Sequence, residues 1–283
     1  MAELYSHSRL SSFENCAKKF HYRYVLRIPS ETEGVEGFVG KRVHEVLERL
    51  YAVAVRGKVP SLSRVLNRYR QLWNENYDAE RVRIVADEPL DHYRDFGERC
   101  LSNYYRSHYP FDRDETVSLE SRVIFNLDDV GRYRVQGIID RVARTRDGTL
   151  EIQDYKTSRR IPRKVHFERD RQLALYQIGL TERFGSDQPI SLVWHYLATG
   201  QTRTSTRTPE QLQALREETI ALIDRVRSET RFEPTPNALC RWCEYQDRCP
   251  AVGGREEAPA EGAGAAPIPA VEPEVSGQLR LFA

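Results

Sequence analysis

The sequence predicts an α/β fold in which a central sheet is flanked by helices. Three observations predict it: a hairpin-like stretch over residues 134–156, amphipathic stretches at 9–25, 34–53 and 209–228, and two further strand-like runs at 190–197 and 201–208. A chain of 283 residues can bury a sizeable core, and 40% hydrophobic with 30% charged residues describes a soluble globular protein. No run approaches the roughly eighteen apolar residues of a membrane helix, and the N-terminus MAELYSHSRLSS lacks the apolar centre of a signal peptide. A cytoplasmic protein without a membrane partner is therefore expected. The net charge of +1 does not announce nucleic-acid binding, which must rest on local charge.

In residues 9–25, Leu10, Phe13, Ala17, Phe20 and Tyr24 recur at three- and four-residue steps, which predicts a helix containing Cys16, with Ser11 or Ser12 as its cap. Residues 34–53 place Val39, Val43, Val46, Leu47, Leu50 and Tyr51 on one stripe, with His44 beside it. Gly40-Lys41 is no phosphate loop: Val35 stands where the first glycine belongs and Arg42 where serine or threonine would bind magnesium, so an ATPase is excluded. Residues 61–82 and 90–108, rich in arginine and tyrosine, predict further helices within a helical insertion at about 57–112. Cys100 lies there with no cysteine or histidine at ligand spacing and is expected to be structural. Thr116 to Phe125 alternates enough to be the first strand of the sheet, with Glu120 opening its apolar run.

The stretch RVQGIIDRVARTRDGTLEIQDYKTS carries the chemistry. Val135, Ile138, Ile139 and Val142 form an apolar run, Asp147-Gly148 breaks it, and Leu150-Glu151-Ile152 resumes it before Asp154. On a strand Asp154 and Lys156 project to one side and Tyr155 to the other, while the neighbouring strand brings Asp140 alongside. Two converging carboxylates repel each other unless a cation lies between them. Hard oxygen ligands suit Mg2+ or Mn2+, and a bound divalent ion can lower the pKa of water. The lysine can orient that water and offset charge on a phosphate. Acid and lysine at alternate strand positions also make ordinary solvated salt bridges, and Asp-x-Lys alone does not decide between the two.

The combination resembles the PD-(D/E)XK nuclease superfamily, in which a first acid is followed across a hairpin by acid-x-lysine; the matching residues are Asp140, Asp154 and Lys156. Ile139 stands where the superfamily's name has proline. The resemblance implies a restriction-endonuclease-like core. Gly40-Lys41-Arg42-Val43-His44 is similar to the glycine-x-x-x-histidine helix of RecB-like members, which implies His44 as a further metal ligand beside Asp140 and Asp154. Related nucleases sometimes carry an acid at the position of Glu120, an accessory residue by that resemblance. Gln172 and Tyr176, an i, i+4 pair on a helix starting at Asp170, match the family's glutamine-x-x-x-tyrosine motif and are implied at the catalytic site. Between them and Lys156 lies the densest basic stretch of the chain, Arg159 to Arg171, at the mouth of an acidic site, where it can hold a phosphate backbone.

Five cysteines argue against a disulfide framework, and CRWCEYQDRCP, with Cys240, Cys243 and Cys249, reads as a site for a soft metal that lacks a local fourth ligand. Cys16 is the candidate. One cysteine near the N-terminus and three near the C-terminus resembles the iron-sulfur staple of RecB-like nucleases that include AddB and the CRISPR-adaptation exonucleases. That resemblance implies a 4Fe-4S cluster rather than four-cysteine zinc, although the thiolates themselves are the same for both. Residues 1–252 are thus expected to form one nuclease domain.

Residues 253–277, almost all Gly, Ala, Pro, Glu and Val, predict a disordered linker. The final QLRLF, Gln278 to Phe282, resembles the short peptide by which bacterial proteins bind the sliding clamp. The expected activity is a metal-dependent nuclease, by the resemblance an exonuclease on single-stranded DNA in repair, recombination or replication, with a helicase as a candidate partner. The competing expectations are a catalytically silent DNA-binding scaffold docked on a clamp or helicase, and a zinc-stabilised RNA-processing protein.

Overall fold

The computed structural model of the chain describes residues 3–255. The greater part of the expected linker and the peptide Gln278 to Phe282 lie outside the described residues.

The hairpin forms where the sequence places it, from β5 (Arg134–Arg144) and β6 (Leu150–Lys156), antiparallel with Arg141 opposite Gln153. Its turn closes because Gly148 takes φ 90°, which costs glycine no Cβ clash, and because Thr145 N–H donates to Thr149 O at 2.9 Å. β4 (Glu115–Asn126) runs antiparallel along one edge of β5. The other edge of β5 is shared: β1 (Leu4–Ser6) pairs in parallel with residues 134–136, and β6 pairs with residues 141–144. The sheet therefore forks, and Asp140 stands in the fork. β7 (Ile190–Tyr196) continues the sheet parallel to β6, and β8 (Gln201–Ser205) closes it.

Each face of the sheet carries its own apolar core. On one, α1 (His7–Asn15), α7 (Arg171–Phe184) and α8 (Pro209–Ser228) set Leu10, Leu173, Ile178 and Ile223 against Val135, Ile139, Ile152 and Leu192. On the other, α3 (Val35–Ala54), α4 (Leu62–Asn76) and α5 (Leu90–His108) set Leu47, Tyr69, Trp73 and Leu101 against Tyr155 and Leu197. The stretch expected as an insertion is thus the second cover of the sheet. Each large apolar side chain fully buried this way contributes about 1.5–3 kcal/mol relative to exposure. Arg141 lies within this second layer, fully buried, bonded to Asp114, Thr116 and Gln153, with its guanidinium 3.8 Å from the centre of the Tyr51 ring.

Several boundaries differ from the sequence-based expectation for local reasons. The helix expected at 9–25 splits: α1 ends at Asn15, Cys16 is extended at φ −166°, ψ 109°, and a short α2 (Ala17–Phe20) runs into a wider helical turn over His21–Val25. The break is stabilised from afar, since the Asn237 side-chain amide donates to Asn15 O at 3.1 Å. The helix expected at 61–82 stops at Asn76 because Asp78 caps a turn, accepting Glu80 N–H on its side chain at 2.9 Å. A two-residue pair then follows, β2 (Glu33–Gly34) with β3 (Val82–Arg83). β1 is too short for its period to be read, and α6 (Lys164–Glu168) lies within the basic run.

Candidate active site

The fork in the sheet gathers side chains from four elements. α3 presents His44, β4 presents Glu120 and β5 presents Asp140, and these three offer ligand atoms that all lie within 4.8 Å of one another. β6 adds Asp154 and Lys156 on one side of the strand, with the Asp154 carboxylate 2.7 Å from Lys156 Nζ, while Tyr155 projects into the opposite core.

His44 Nε2 lies 2.8 Å from the Tyr155 carbonyl oxygen. A carbonyl only accepts, so Nε2 carries a proton, and Nδ1 faces Asp140 Oδ2, 3.5 Å away, where its own proton points at the carboxylate while the ring is charged and its lone pair is free for a metal once the ring is neutral. Asp140 is itself held by the Tyr155 backbone N–H, which donates to Oδ2 at 2.8 Å. One residue, Tyr155, thus orients both. Burial alone would depress His44, but the hydrogen bond and charge of Asp140, with Asp154 beyond, hold it up at about 9. Burial raises Glu120 to about 7, with Asp140's charge adding to it and His44 opposing. Glu120 takes φ 41°, a left-handed backbone that a glutamate adopts only under constraint, at a bulge-bearing strand where it faces Asp140 across the ladder.

Asp154 is buried, and its carboxyl is pushed up to about 6 by that burial, against Lys156. Burial opposes charge on Lys156, yet Asp154 and then Asp140 outweigh it and hold the ammonium above its ordinary value. Lys156 Nζ donates to Gln172 Oε1 at 3.3 Å, and Gln172 Nε2 donates to the Tyr176 hydroxyl at 3.4 Å. The two motif residues of α7 therefore stand behind the lysine. Tyr176 reaches this position because Gly137 has no side chain: a Cβ there would clash with ring carbon Cε1 and lie 2.7 Å from Cδ1 and Cζ. Gly40 has no such need, since its nearest neighbour to an added methyl, Thr157 Oγ1, is 3.7 Å away.

An imidazole nitrogen and two carboxylates with converging lone pairs form a hard donor set, and it fits a divalent ion such as Mg2+ or Mn2+. The sequence-based set was His44, Asp140 and Asp154; the structure brings Glu120 into the tight cluster with the first two and sets Asp154 against Lys156.

A sequence profile described as the PD-(D/E)XK nuclease superfamily matches residues 5–250. The chain belongs to the PD-(D/E)XK nuclease superfamily. No curated protein matches it significantly. Among solved structures it is similar to one described as the crystal structure of SSO0001, with a TM-score of 0.34 and 16% identity over 86% of this chain and 95% of that one. Membership of the superfamily implies a metal-dependent nuclease. Among the described residues no helix is long and apolar enough to cross a membrane.

The basic run after Lys156 is divided in its use. Arg171 bonds Glu14 and Ser11 of α1 and lies against His7, which burial depresses to about 4, with Arg171 and Lys156 adding. Arg159 lies 4.7 Å from the centre of the Phe96 ring on α5 and contacts His92 at 2.6 Å. Arg160, Arg163 and Lys164 are exposed. Sequence reasoning missed His7, because its neighbours on α7 lie more than 160 residues away.

The two cysteine segments meet. Lys19 bonds Glu244 at 2.7 Å, the Tyr22 hydroxyl donates to Arg248 O at 2.9 Å, and the Tyr245 hydroxyl to Ile28 O at 2.9 Å. Thr235 N–H points at Cys16 Sγ at 3.5 Å and Asn237 N–H at Cys240 Sγ at 3.3 Å. Burial raises the Cys243 thiol, and nearby Cys16 contributes to that shift. Cys16, Cys240, Cys243 and Cys249 are half-buried free cysteines, whereas Cys100 is buried in the second core and its thiol is pushed up to about 12 by that burial. Among the described residues no three cysteine sulfurs gather within 4.8 Å. Four cysteine thiolates can serve as ligands for zinc or for an iron-sulfur cluster alike.

Proposed function

We propose that this PD-(D/E)XK nuclease is a deoxyribonuclease of the RecB-like type that degrades single-stranded DNA from an end, in the cytoplasm, in repair, recombination or replication. The observation that carries the reading is the convergence of His44, Glu120 and Asp140 beside the Asp154–Lys156 pair. In it His44 and Asp140, with Glu120 or Asp154, hold Mg2+ or Mn2+, which when bound supplies Lewis acidity and a more acidic water. Lys156, kept charged by Asp154, orients the attacking water and offsets charge developing on the phosphate. Gln172 and Tyr176 steady the lysine from behind.

In the same reading Cys16, Cys240, Cys243 and Cys249 hold a 4Fe-4S cluster that fastens the chain's two ends across more than two hundred residues. The N–H groups aimed at Cys16 and Cys240 support it, since such donors stabilise thiolate charge. Docking of Gln278 to Phe282 on a sliding clamp, and a helicase supplied by a partner, complete the proposal.

The test is cleavage of end-labelled single- and double-stranded DNA by anaerobically prepared protein with magnesium, manganese or EDTA, alongside Lys156→Ala. Metal-dependent loss of one labelled end in the wild type alone is the expected result. Cleavage that survives in Lys156→Ala refutes the assignment of the lysine, and absence of cleavage by folded, iron-loaded protein refutes the enzyme. An absorbance band near 400 nm separates iron-sulfur from colourless zinc.

A further inference from the structure

Away from the catalytic fork, the cysteine loop, the N-terminal helices, the start of α3 and the β2–β3 pair enclose a groove of about 380 Å³. It is lined by Lys19, Arg23, Lys41, Arg81 and Arg83, together with Trp242, which stands between Cys240 and Cys243. Five cations face three carboxylates there, whereas the whole chain carries +1. Lys19 and Arg23 converge on one of those acids, Glu244, and Lys41 pairs with Glu33. Arg83 is spent on the loop itself, donating to the carbonyls of Cys243 and Arg241. Arg81 is exposed.

The chain has three tryptophans; Trp73 and Trp194 are 3% and 1% exposed, but Trp242 is 41% exposed. It lies on a 3₁₀ turn over Ala238–Trp242, where residues three apart eclipse, so Leu239, 58% exposed, stands on the same side. An apolar ledge is thus held out by two cysteines instead of being folded into either core. A positively charged groove with an aromatic ledge is the chemistry that holds single-stranded nucleic acid, by backbone neutralisation and base stacking. Lys41, on its wall, is three residues before His44, so the groove shares α3 with one candidate metal ligand about a helical turn away.

We infer that this groove is the approach for the single-stranded DNA substrate, with a base stacked on Trp242 and its backbone neutralised by Arg81 and its cationic neighbours. The inference rests on the proposed function and deepens it. It also gives the cysteine loop a second role, presenting Trp242 as well as fastening the ends.

The experiment is fluorescence anisotropy of a labelled oligothymidylate with full-length, iron-loaded protein in EDTA, where the divalent ion is removed and binding is read without cleavage. Trp242→Ala weakens binding about tenfold or more while Trp242→Phe stays within about threefold, both at unchanged iron content per chain. Arg81→Gln lowers the slope of log affinity against log salt by about 0.7, one phosphate contact on a single strand. A single abasic site moved along the strand weakens wild-type binding at one register and leaves Trp242→Ala unaffected. Equal affinity of wild type and an iron-replete Trp242→Ala overturns the inference, as does an abasic scan that is flat for the wild type. A duplex bound more tightly than the single strand overturns it too. Cleavage of DNA with no effect of Trp242 or Arg81 overturns the groove alone. Binding that depends on Trp242 without any metal-dependent cleavage supports the groove and overturns the nuclease reading.

Discussion

Replacing Gly137 with alanine sets a methyl group against the ring of Tyr176, within 2.7 Å of Cδ1 and Cζ and closer still to Cε1. Such approaches do not occur between real carbon atoms, and neither partner can yield easily. Gly137 is buried in β5, paired with Val123 of β4, and Tyr176 is buried on α7. Overpacking of this kind costs roughly 1–3 kcal/mol, here toward the upper end because the obstacle is a rigid ring. For about 250 ordered residues each kcal/mol moves the melting temperature by roughly 2–4 °C, so Gly137→Ala is expected to melt about 5–10 °C lower. The displaced ring also withdraws its hydroxyl from Gln172, and with it the support of Lys156, so turnover falls about tenfold beyond any loss of folded protein. Combining it with Tyr176→Ala removes the clash, and the double variant is less destabilised than the sum of the singles by at least about 1 kcal/mol. Gly40→Ala is the control: the methyl has room, and a helix interior gains up to about 1 kcal/mol from the exchange. Calorimetry and steady-state cleavage read all four proteins. A Gly137→Ala variant that melts within about 1 °C of the wild type refutes the close approach of strand and ring.

Four further outcomes are expected. Glu120→Gln raises the magnesium concentration for half-maximal cleavage about tenfold or more, and an unchanged magnesium titration removes Glu120 from the ligand set. Asp114→Ala leaves the buried Arg141 without its anion and costs about 3 kcal/mol, measured by denaturant unfolding; a loss under about 1 kcal/mol refutes the charge pairing. His195 is buried and depressed to about 3 by that burial, with His108 and Arg141 adding, so it folds neutral while the unfolded chain takes up a proton below about pH 6.5. Its contribution is therefore complete above that pH and is lost as pH falls, by about 1.5 kcal/mol between pH 6.5 and pH 5, and melting of His195→Gln should be flatter over that window. Cys16→Ser is expected to lose the iron band and to become sensitive to proteolysis at residues 232–255, whereas Cys100→Ser keeps the band; equal iron in both variants refutes the fourth ligand.

What the sequence determined by itself is what neighbouring residues determine. The apolar steps of 35–54, 90–108, 171–184 and 209–228 set those helices, since a face repeating every three or four residues can be buried only as a helix. Alternation with Asp147-Gly148 set the hairpin, and alternation alone put Asp154 and Lys156 on one side of β6 and Tyr155 on the other. Tertiary structure decided which side chains meet. Glu120 joins His44 and Asp140 only because the β4–β5 register sets it opposite Asp140 and α3 crosses that face, three contacts separated by 20 to 96 residues that no local pattern encodes. The break at Cys16 is invisible to periodicity because the residue that stabilises it, Asn237, lies 222 positions away. The groove beside Trp242 is likewise assembled from five separate segments. Local chemistry selects the elements; the burial of two apolar faces on one forked sheet selects the neighbours, and at such separations the neighbours make the site.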